Sequence, residues 1–187
     1  MTTLTLQNLE DTRLRELREH IDDFDRIVAR HHPQVARLAH RLLGWRDRDA
    51  VDDVVQEVFL VALTRLKDFR GESSLATWLM GITVNQCRAH HRRSALRLTW
   101  LRQMWSRAET NHQPVWADED TETSQQVRGA IAALPPRDRD VIVLFYLEDC
   151  SVARIAKLLG AKPNAIEVRL HRARQRLKTK LAGLLGG

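Results

Sequence analysis

The sequence predicts an all-α protein in which two small helical domains are joined by a flexible linker, and the C-terminal domain carries a helix-turn-helix. Three observations indicate this fold class. Apolar residues recur at intervals of three and four along most of the chain, as on one face of an amphipathic helix. Only 8 glycines and 5 prolines interrupt the 187 residues, of which 43% are hydrophobic. The composition changes sharply between residues 94 and 125, which predicts the linker.

These observations give a first domain at residues 10–93 and a second domain at residues 126–182. The linker, residues 94–125, begins with the run LRLTWLRQMW, which is expected to be partly helical, and ends in the acidic run ADEDTET. We expect the two domains to fold independently and to move relative to each other in the free protein.

The first predicted helix spans residues 10–31. Its apolar residues keep helical spacing and are Leu14, Leu17, Ile21, Phe24 and Val28. Pro33 is expected to break or kink this pattern, or to begin a new helix at its first turn, since proline has no backbone amide. An apolar stripe continues to Gly44, and residues 45–50 form a polar connection. This region is expected to build a core.

A second helix is predicted at residues 50–67. Its inward residues are Val51, Val54, Val55, Val58, Ala62 and Leu66. The other side carries a polar cluster of helix neighbours, Asp52, Asp53, Gln56 and Glu57. The helix dipole favours acidic groups near its N-terminus, and this alone accounts for the cluster.

Residues 68–77 are predicted to form a loop, because Gly71 and small polar residues interrupt the helical pattern. A helix follows from Trp78 to Arg93, with Trp78 as a core anchor and several basic residues at the end. A loop beside a basic helix suits single-stranded nucleic acid, which requires a positive track and pockets for unstacked bases.

The clearest pattern is a helix-turn-helix between residues 151 and 181. Ser151 is a good N-cap, and Gly160 can end the first helix in a left-handed conformation. A second helix opens near Asn164, also a good cap, and its inward stripe consists of Ile166, Leu170, Ala173 and Leu177. In such motifs the second helix enters the major groove of DNA.

The charge distribution supports a nucleic-acid partner for the C-terminal third. The whole chain has a formal net charge of +6, but residues 126–187 carry 12 Lys and Arg against 5 Asp and Glu. A basic excess confined to one module indicates a phosphate-binding surface.

The sequence indicates a cytoplasmic protein without a membrane span, a signal peptide or a cofactor. Cys87 and Cys150 lie far apart in the chain, and a disulfide is not expected in a reducing compartment. A metal site at Cys87, His90 and His91 is a weak alternative, because one helix cannot direct all three side chains to the same point.

Two sets of motifs resemble one known family. LP-x-R-x-R-x-V-x-V-L, I-A-x-L-L-G and V-R-L-H-R-A-R resemble the promoter-reading region of bacterial sigma factors of the extracytoplasmic-function (ECF) group. Upstream, DDVVQEVFL at 52–60, FRGES at 69–73, TWL at 77–79 and Asn85 resemble the core-binding and promoter-melting region of that family. The two sets appear in the order of the family.

The resemblance implies a factor that binds core RNA polymerase and promoter DNA and is held by an anti-sigma factor, with no small-molecule substrate or catalysis of its own. The residues implied in polymerase binding are Asp52, Asp53, Gln56, Glu57 and Phe59. Those implied in opening and holding the −10 element are Phe69, Arg70, Glu72, Ser73, Ser74, Asn85, Arg88, Arg92 and Arg93. Leu75 is a departure, because the family often has an aromatic residue in this loop.

The resemblance assigns the second helix of the helix-turn-helix to the −35 element. The outward face of its N-terminal half supplies the expected base readers, which are Glu167, Val168, His171 and Arg172. Other residues are better placed for phosphates or the helix start, and these are Lys162, Asn164, Arg169, Arg174 and Arg176. Glu167 is a second departure, since the family often has a basic residue there.

Two other classes of protein were weighed. A stand-alone helix-turn-helix regulator would not need the motifs at 50–93 and would usually bind a palindrome as a dimer. A nucleic-acid enzyme would need a carboxylate cluster for metal ions, but Asp52, Asp53 and Glu57 lie on a regular helix without a fourth ligand.

Overall fold

A computed structural model describes residues 2–45, 48–104 and 122–185. These residues form seven α-helices, with short 3₁₀ and π turns, and contain no strand. The first three helices form one bundle and the last four form another, as the all-α prediction requires. Residues 105–121, which include most of the predicted linker, lie outside the described residues.

Helix α1 spans Thr2–Leu43 as one continuous helix with Pro33 inside it. The expected break or new helix start at Pro33 was therefore wrong. The missing amide costs roughly 3 kcal/mol, but apolar residues pack against the core on both sides of the proline. Phe24 and Val28 pack before it, and Leu38 and Leu42 are buried after it.

Helix α2 spans Arg48–Arg65 and confirms the predicted inward stripe, since Val51, Val54, Val55, Val58 and Ala62 are buried. A 3₁₀ turn, Leu66–Asp68, ends it. Burial of this stripe between α1 and the helix that follows leaves the opposite side of α2 facing outward.

Helix α3 spans Leu75–Met104, so it begins earlier and ends later than the predicted 78–93. The Ser74 hydroxyl accepts a hydrogen bond from the Thr77 amide at 3.2 Å, and this cap lets the helix begin at Leu75, three residues before the predicted start. At the other end, α3 continues into the first part of the predicted linker.

Helix α4 spans Glu122–Ala132 and α5 spans Pro136–Ile142, followed by a π turn at Val143–Leu147. Three consecutive charged residues, Asp138, Arg139 and Asp140, are buried. The sequence did not predict this burial, because a run of charges ordinarily faces solvent.

The helix-turn-helix is formed by α6, Val152–Leu159, and α7, Pro163–Leu185. Both predicted signals are confirmed: the Ser151 hydroxyl accepts from the Arg154 amide, and Gly160 takes a left-handed conformation at φ 62°. Asn164 is not the cap, because α7 already begins at Pro163, a favoured first helical residue. Instead, the Lys162 carbonyl accepts from the Ala165 amide at 3.0 Å.

Candidate polymerase and nucleic-acid interfaces

The polar face of α2 is open to solvent. Asp52, Asp53 and Gln56 are exposed, and Glu57 is partly covered. Both carboxylate oxygens of Glu57 accept from Arg93 Nη2 of α3, at 2.9 and 3.0 Å. A surface pair of this kind adds little stability, but it holds the two side chains of neighbouring helices in place.

Phe59 does not belong to this face. Its side chain is 8% exposed, and its ring stacks on that of His32 with a centroid distance of 6.2 Å. Little of the ring is open to a partner in this conformation, and the prediction that Phe59 binds polymerase stays a prediction.

Leu60 and Leu63 were not among the residues predicted from the sequence, but they lie on the outward side of α2. Their exposed fractions are 63% and 51%. They follow Asp53 and Gln56 at three- and four-residue intervals, so the four share one helix face. Their position off the valine stripe was the signal available in the sequence. The face is therefore acidic at its start and apolar at its end.

The loop before α3 presents mainly polar groups. Arg70, Glu72, Ser73 and Ser74 are exposed, although the Ser74 hydroxyl is used to cap α3. Phe69 is half-buried against Trp78, with a ring-centroid distance of 5.2 Å.

Trp78 and Leu75 both pack against the core, which confirms Trp78 as an anchor. Neither side chain is therefore presented as a platform for an unstacked base.

The four predicted polar residues of α3 differ in their surroundings. Asn85 and Arg92 are exposed, and Arg92 makes no side-chain bond within the described part of the chain. Arg88 is half-buried and donates to the Leu159 carbonyl of α6 at 3.0 Å. With Arg93 held by Glu57, Arg92 and Asn85 are the most accessible of the set.

Helix α7 has the predicted inward and outward faces. Ile166, Leu170 and Ala173 are buried. All four expected base readers are exposed, and they are Glu167, Val168, His171 and Arg172. Lys162 and Asn164 are exposed at the helix start, whereas Arg169 is partly buried.

Two arginines predicted to contact phosphates have partners within the chain. Arg176 forms an ion pair with Asp138. Arg174 Nε donates to the Tyr146 hydroxyl at 2.8 Å, and its guanidinium lies over the rings of Phe145 and Tyr146. The charge of Arg176 is compensated by a carboxylate, while Arg174 contacts no carboxylate among the described residues.

The buried Arg139 joins the two helical bundles. Its Nε donates to the Leu42 carbonyl at the end of α1 at 2.9 Å, and its Nη1 donates to the Ala132 carbonyl at 2.8 Å. Its Nη2 lies 3.2 Å from His91 Nε2. Burial lowers the pKa of His91, and a neutral imidazole can accept from the guanidinium.

Further side-chain bonds cross between the bundles. Arg41 of α1 pairs with Glu148 at 2.7 Å, and Arg154 of α6 donates to the Thr77 hydroxyl of α3 at 3.0 Å. Together with the bond from Arg88 to α6, these contacts hold the helix-turn-helix against the start and middle of α3. The expected mobility of the two domains stays a prediction.

Asp140 is the most deeply buried carboxylate among the described residues, with 3% of its surface exposed. Its Oδ1 has no hydrogen-bond partner there. Burial raises its pKa to about 6, although Arg88, Arg139, Arg169 and Arg137 act in the opposite direction.

The residues of the alternative metal site do not meet at one point in the structure. Cys87 is fully buried, whereas the ring of His91 lies at the Leu42 carbonyl and Arg139. Within the described ranges, no group of three potential ligands could hold a metal ion. In the same part of the chain, no helix is both long enough and apolar enough to span a membrane.

Comparison with known families matches both halves of the chain. Sigma-70 region 2 matches residues 27–97, and Sigma-70, region 4 matches residues 124–177. These two regions in this order define a sigma factor of the sigma-70 type. Individual relatives identify the group to which the chain belongs within this type.

The ECF RNA polymerase sigma factor SigM of Mycobacterium tuberculosis is 33% identical over 163 residues, which cover 87% of this chain and 78% of SigM. ECF RNA polymerase sigma factor SigW of Bacillus subtilis is 27% identical over 173 residues, which cover 87% of this chain and 91% of SigW. The chain belongs to the ECF RNA polymerase sigma factors, which direct core RNA polymerase to promoters, and this confirms the family predicted from the motifs.

Solved structures show the same fold. The sigma factor RpoE in complex with the anti-sigma factor NepR from Bartonella quintana aligns with a TM-score of 0.67 and 23% identity, covering 85% of this chain and 96% of RpoE. CnrH in complex with the cytosolic domain of CnrY aligns with a TM-score of 0.56 and 28% identity, covering 86% of this chain and 88% of CnrH.

Proposed function

We propose that the outward face of α2 is the surface by which this sigma factor binds core RNA polymerase. The face consists of Asp52, Asp53, Gln56, Leu60 and Leu63, with Glu57 at its edge. What supports this is the combination of exposed carboxylates with two neighbouring exposed leucines on one helix face, since contiguous exposed apolar surface marks interaction sites on proteins. The acidic part would guide encounter with a basic partner, and the leucines would supply buried contact area.

The same proposal assigns DNA contacts to two separate surfaces. Arg70, Glu72, Ser73, Asn85 and Arg92 would hold the opened −10 strand, with Arg88 joining them when its bond to α6 is released. The exposed face of α7 would read the −35 element. Arg172 can form a bidentate pair with guanine, and Glu167 can accept from cytosine N4.

We also propose a role for each domain and a cellular location for the protein. Residues 10–93 act as the polymerase-binding and −10 domain, residues 126–182 as the −35 domain, and residues 94–125 as their linker. The chain works in the cytoplasm with the polymerase and nucleoid and performs no catalysis, because RNA synthesis belongs to the polymerase. An anti-sigma factor is proposed as a partner, since two structural relatives are bound to partner proteins, one of them named an anti-sigma factor.

Selection from a randomised duplex library tests this function. Full-length protein with core polymerase should enrich two short elements at fixed separation, and protein alone should enrich neither. A stand-alone regulator would instead select a palindrome without polymerase.

Variants of α7 then identify the residues that contact base edges. Arg172→Ala should lose about 1–3 kcal/mol and relax choice at one base pair of the −35 element. Glu167→Ala should relax a neighbouring pair while nonspecific affinity stays equal or rises, because a repulsive charge is removed. Unchanged base preferences in both variants would contradict the assigned face.

A further inference from the structure

The segment between α5 and α6 contains an unusual turn that the −35 assignment does not use. Val143–Leu147 forms a π turn, in which the Glu148 amide donates to the Val143 carbonyl at 3.1 Å. Such turns are rare and often lie at functional sites. This one places Phe145 and Tyr146 beside each other with a ring-centroid distance of 5.0 Å, and 51% of the surface of Tyr146 is exposed.

Arg174 of α7 lies against this aromatic pair. Its Nε donates to the Tyr146 hydroxyl at 2.8 Å, and its guanidinium carbon is 5.5 Å from the Phe145 centroid and 5.6 Å from the Tyr146 centroid. These contacts use one N–H and restrict the side chain, but they leave the N–H groups of both terminal nitrogens available. Because the tyrosine oxygen accepts from arginine, its own hydrogen can be donated elsewhere.

The contrast with Arg176 indicates what kind of ligand would fit. Arg176 is two residues further along α7 and is neutralised by Asp138. Arg174 is braced by neutral aromatic groups and has no carboxylate partner in the described part of the chain. An oriented guanidinium with uncompensated charge beside a hydroxyl donor matches a phosphate group, which accepts several hydrogen bonds at once.

The position on α7 suits a phosphate beside the groove. Glu167, His171 and Arg174 are separated by four and three residues, so they share one flank of the helix. Glu167 and His171 belong to the half of the helix that would meet base edges. Arg174 is one turn further, where the helix leaves the groove and its flank approaches the DNA backbone.

We propose that Tyr146 and Arg174 form a composite binding site for one phosphate of the DNA backbone at the edge of the −35 element. Arg174 supplies the charge and two terminal donors, and Tyr146 holds the guanidinium and donates its hydroxyl hydrogen. Tyr146 is thus a DNA contact outside the recognition helix. This proposal rests on the proposed function of α7.

The test uses the full chain with core polymerase and a promoter duplex selected as above. Each phosphate around the −35 element is replaced in turn by an uncharged methylphosphonate. For the wild type, one replacement should weaken binding by about tenfold, as expected for loss of a charge-assisted contact.

Two variants test whether Arg174 and Tyr146 bind that phosphate. Arg174→Ala should weaken binding to the unmodified duplex by about tenfold and abolish sensitivity to that replacement. Tyr146→Phe keeps the ring and should lose about threefold, with reduced sensitivity at the same phosphate and an unchanged thermal midpoint. Arg37→Ala, which removes an exposed arginine from α1, is the charge-matched control and should retain the full wild-type sensitivity.

Retention of wild-type sensitivity at every phosphate by both variants would overturn the composite site. A lowered thermal midpoint in Tyr146→Phe with unchanged phosphate sensitivity would also overturn it, because the tyrosine would then serve only the fold. Failure of the wild-type complex to bind any selected duplex would instead remove the proposed function, and this site with it.

Discussion

Arg139 shows how a single buried cation can connect two helical bundles. Its three nitrogens reach two helix-end carbonyls and a histidine ring, so the group is hydrogen-bonded although it is removed from water. A buried charge is tolerated only when partners of this kind replace its hydration. Gly44 makes room for it, because a Cβ atom there would lie 2.6 Å from Arg139 Nη1.

Gly44→Ala should therefore lower the free energy of unfolding by about 2 kcal/mol or more, because Gly44 also has a φ of 87°, which costs alanine about 1–2 kcal/mol. Urea denaturation of the full chain measures this. Gly129→Ala is the matched control: Gly129 lies in α4 with nothing within 4 Å of an added Cβ, and the change should stabilise by about 1 kcal/mol. Equal effects of the two substitutions would contradict the close packing at Gly44.

Because Asp140 is buried, we expect the free energy of unfolding to depend on pH. Its folded pKa of about 6 lies above the ordinary 3.8, so the folded state binds more protons than the unfolded state between these values. The free energy of unfolding should then fall as pH rises from 4 to 6. Above this window the ionised, buried carboxylate costs about 3 kcal/mol.

Asp140→Asn removes this cost. The variant should match the wild type near pH 4 and exceed its stability at pH 7.5 by up to about 3 kcal/mol. Denaturation at several pH values tests this, and comparison of the two proteins cancels the opposite contributions of His40 and His91, whose pKa values are lowered. A variant less stable than wild type at pH 7.5 would show that the surrounding arginines compensate the charge.

At the scale of the element, the two faces of α2 differ in burial, and the proposed polymerase contacts lie on the exposed one. The valine stripe is buried between α1 and α3, so substitutions there would disturb folding. Within the described part of the chain, the outward face is exposed apart from Glu57 at its edge, which pairs with Arg93 of α3, and it can be changed without loss of the core. This separation makes α2 suitable for testing polymerase binding independently of stability.

Asp53→Arg should weaken binding to core polymerase, as should Gln56→Ala and Leu63→Ser, with thermal midpoints close to wild type. The first change reverses a charge that complements a basic partner, and the last removes exposed apolar contact area. Native gels with core polymerase provide the measurement, and Asp25→Arg on the exposed side of α1 is the charge-matched control. If all three variants bind as tightly as the control, this face is not the interface.

The helix-turn-helix and the valine stripe could be predicted from sequence because their signals are local. Ser151 caps the next turn, Gly160 adopts a conformation set by its own backbone, and the stripe repeats with the helix period. Burial of Arg139 depends on the Leu42 carbonyl, almost one hundred residues away, and no local pattern encodes it. Burial of Phe59 could not be predicted for a related reason, since its ring packs on His32 of another helix.

At the scale of the whole molecule, we expect the contacts between the bundles to break when both proposed promoter elements are bound. Elements near −10 and −35 lie about 25 base pairs apart, which is about 85 Å of duplex at about 3.4 Å per pair. The structure instead places α6 directly against α3, where Arg154 bonds Thr77 and Arg88 bonds Leu159. We therefore predict that the two domains separate when the promoter is bound.

Energy transfer between dyes at Thr64→Cys on α2 and Gln125→Cys on α4 should detect this separation. The native Cys87 and Cys150 are buried, so labelling favours the introduced thiols. Transfer should be efficient in the free protein and fall on addition of core polymerase and promoter duplex. An efficiency that stays unchanged in the complete complex would contradict the opening.

Run-off transcription with purified core RNA polymerase tests the central claim most directly. The full-length protein should produce defined transcripts from a selected promoter duplex, whereas core polymerase alone should not, and Asp53→Arg should reduce their yield through weaker assembly. If added protein produces no new start site on any selected duplex, the assignment of these surfaces to promoter-directed initiation is contradicted.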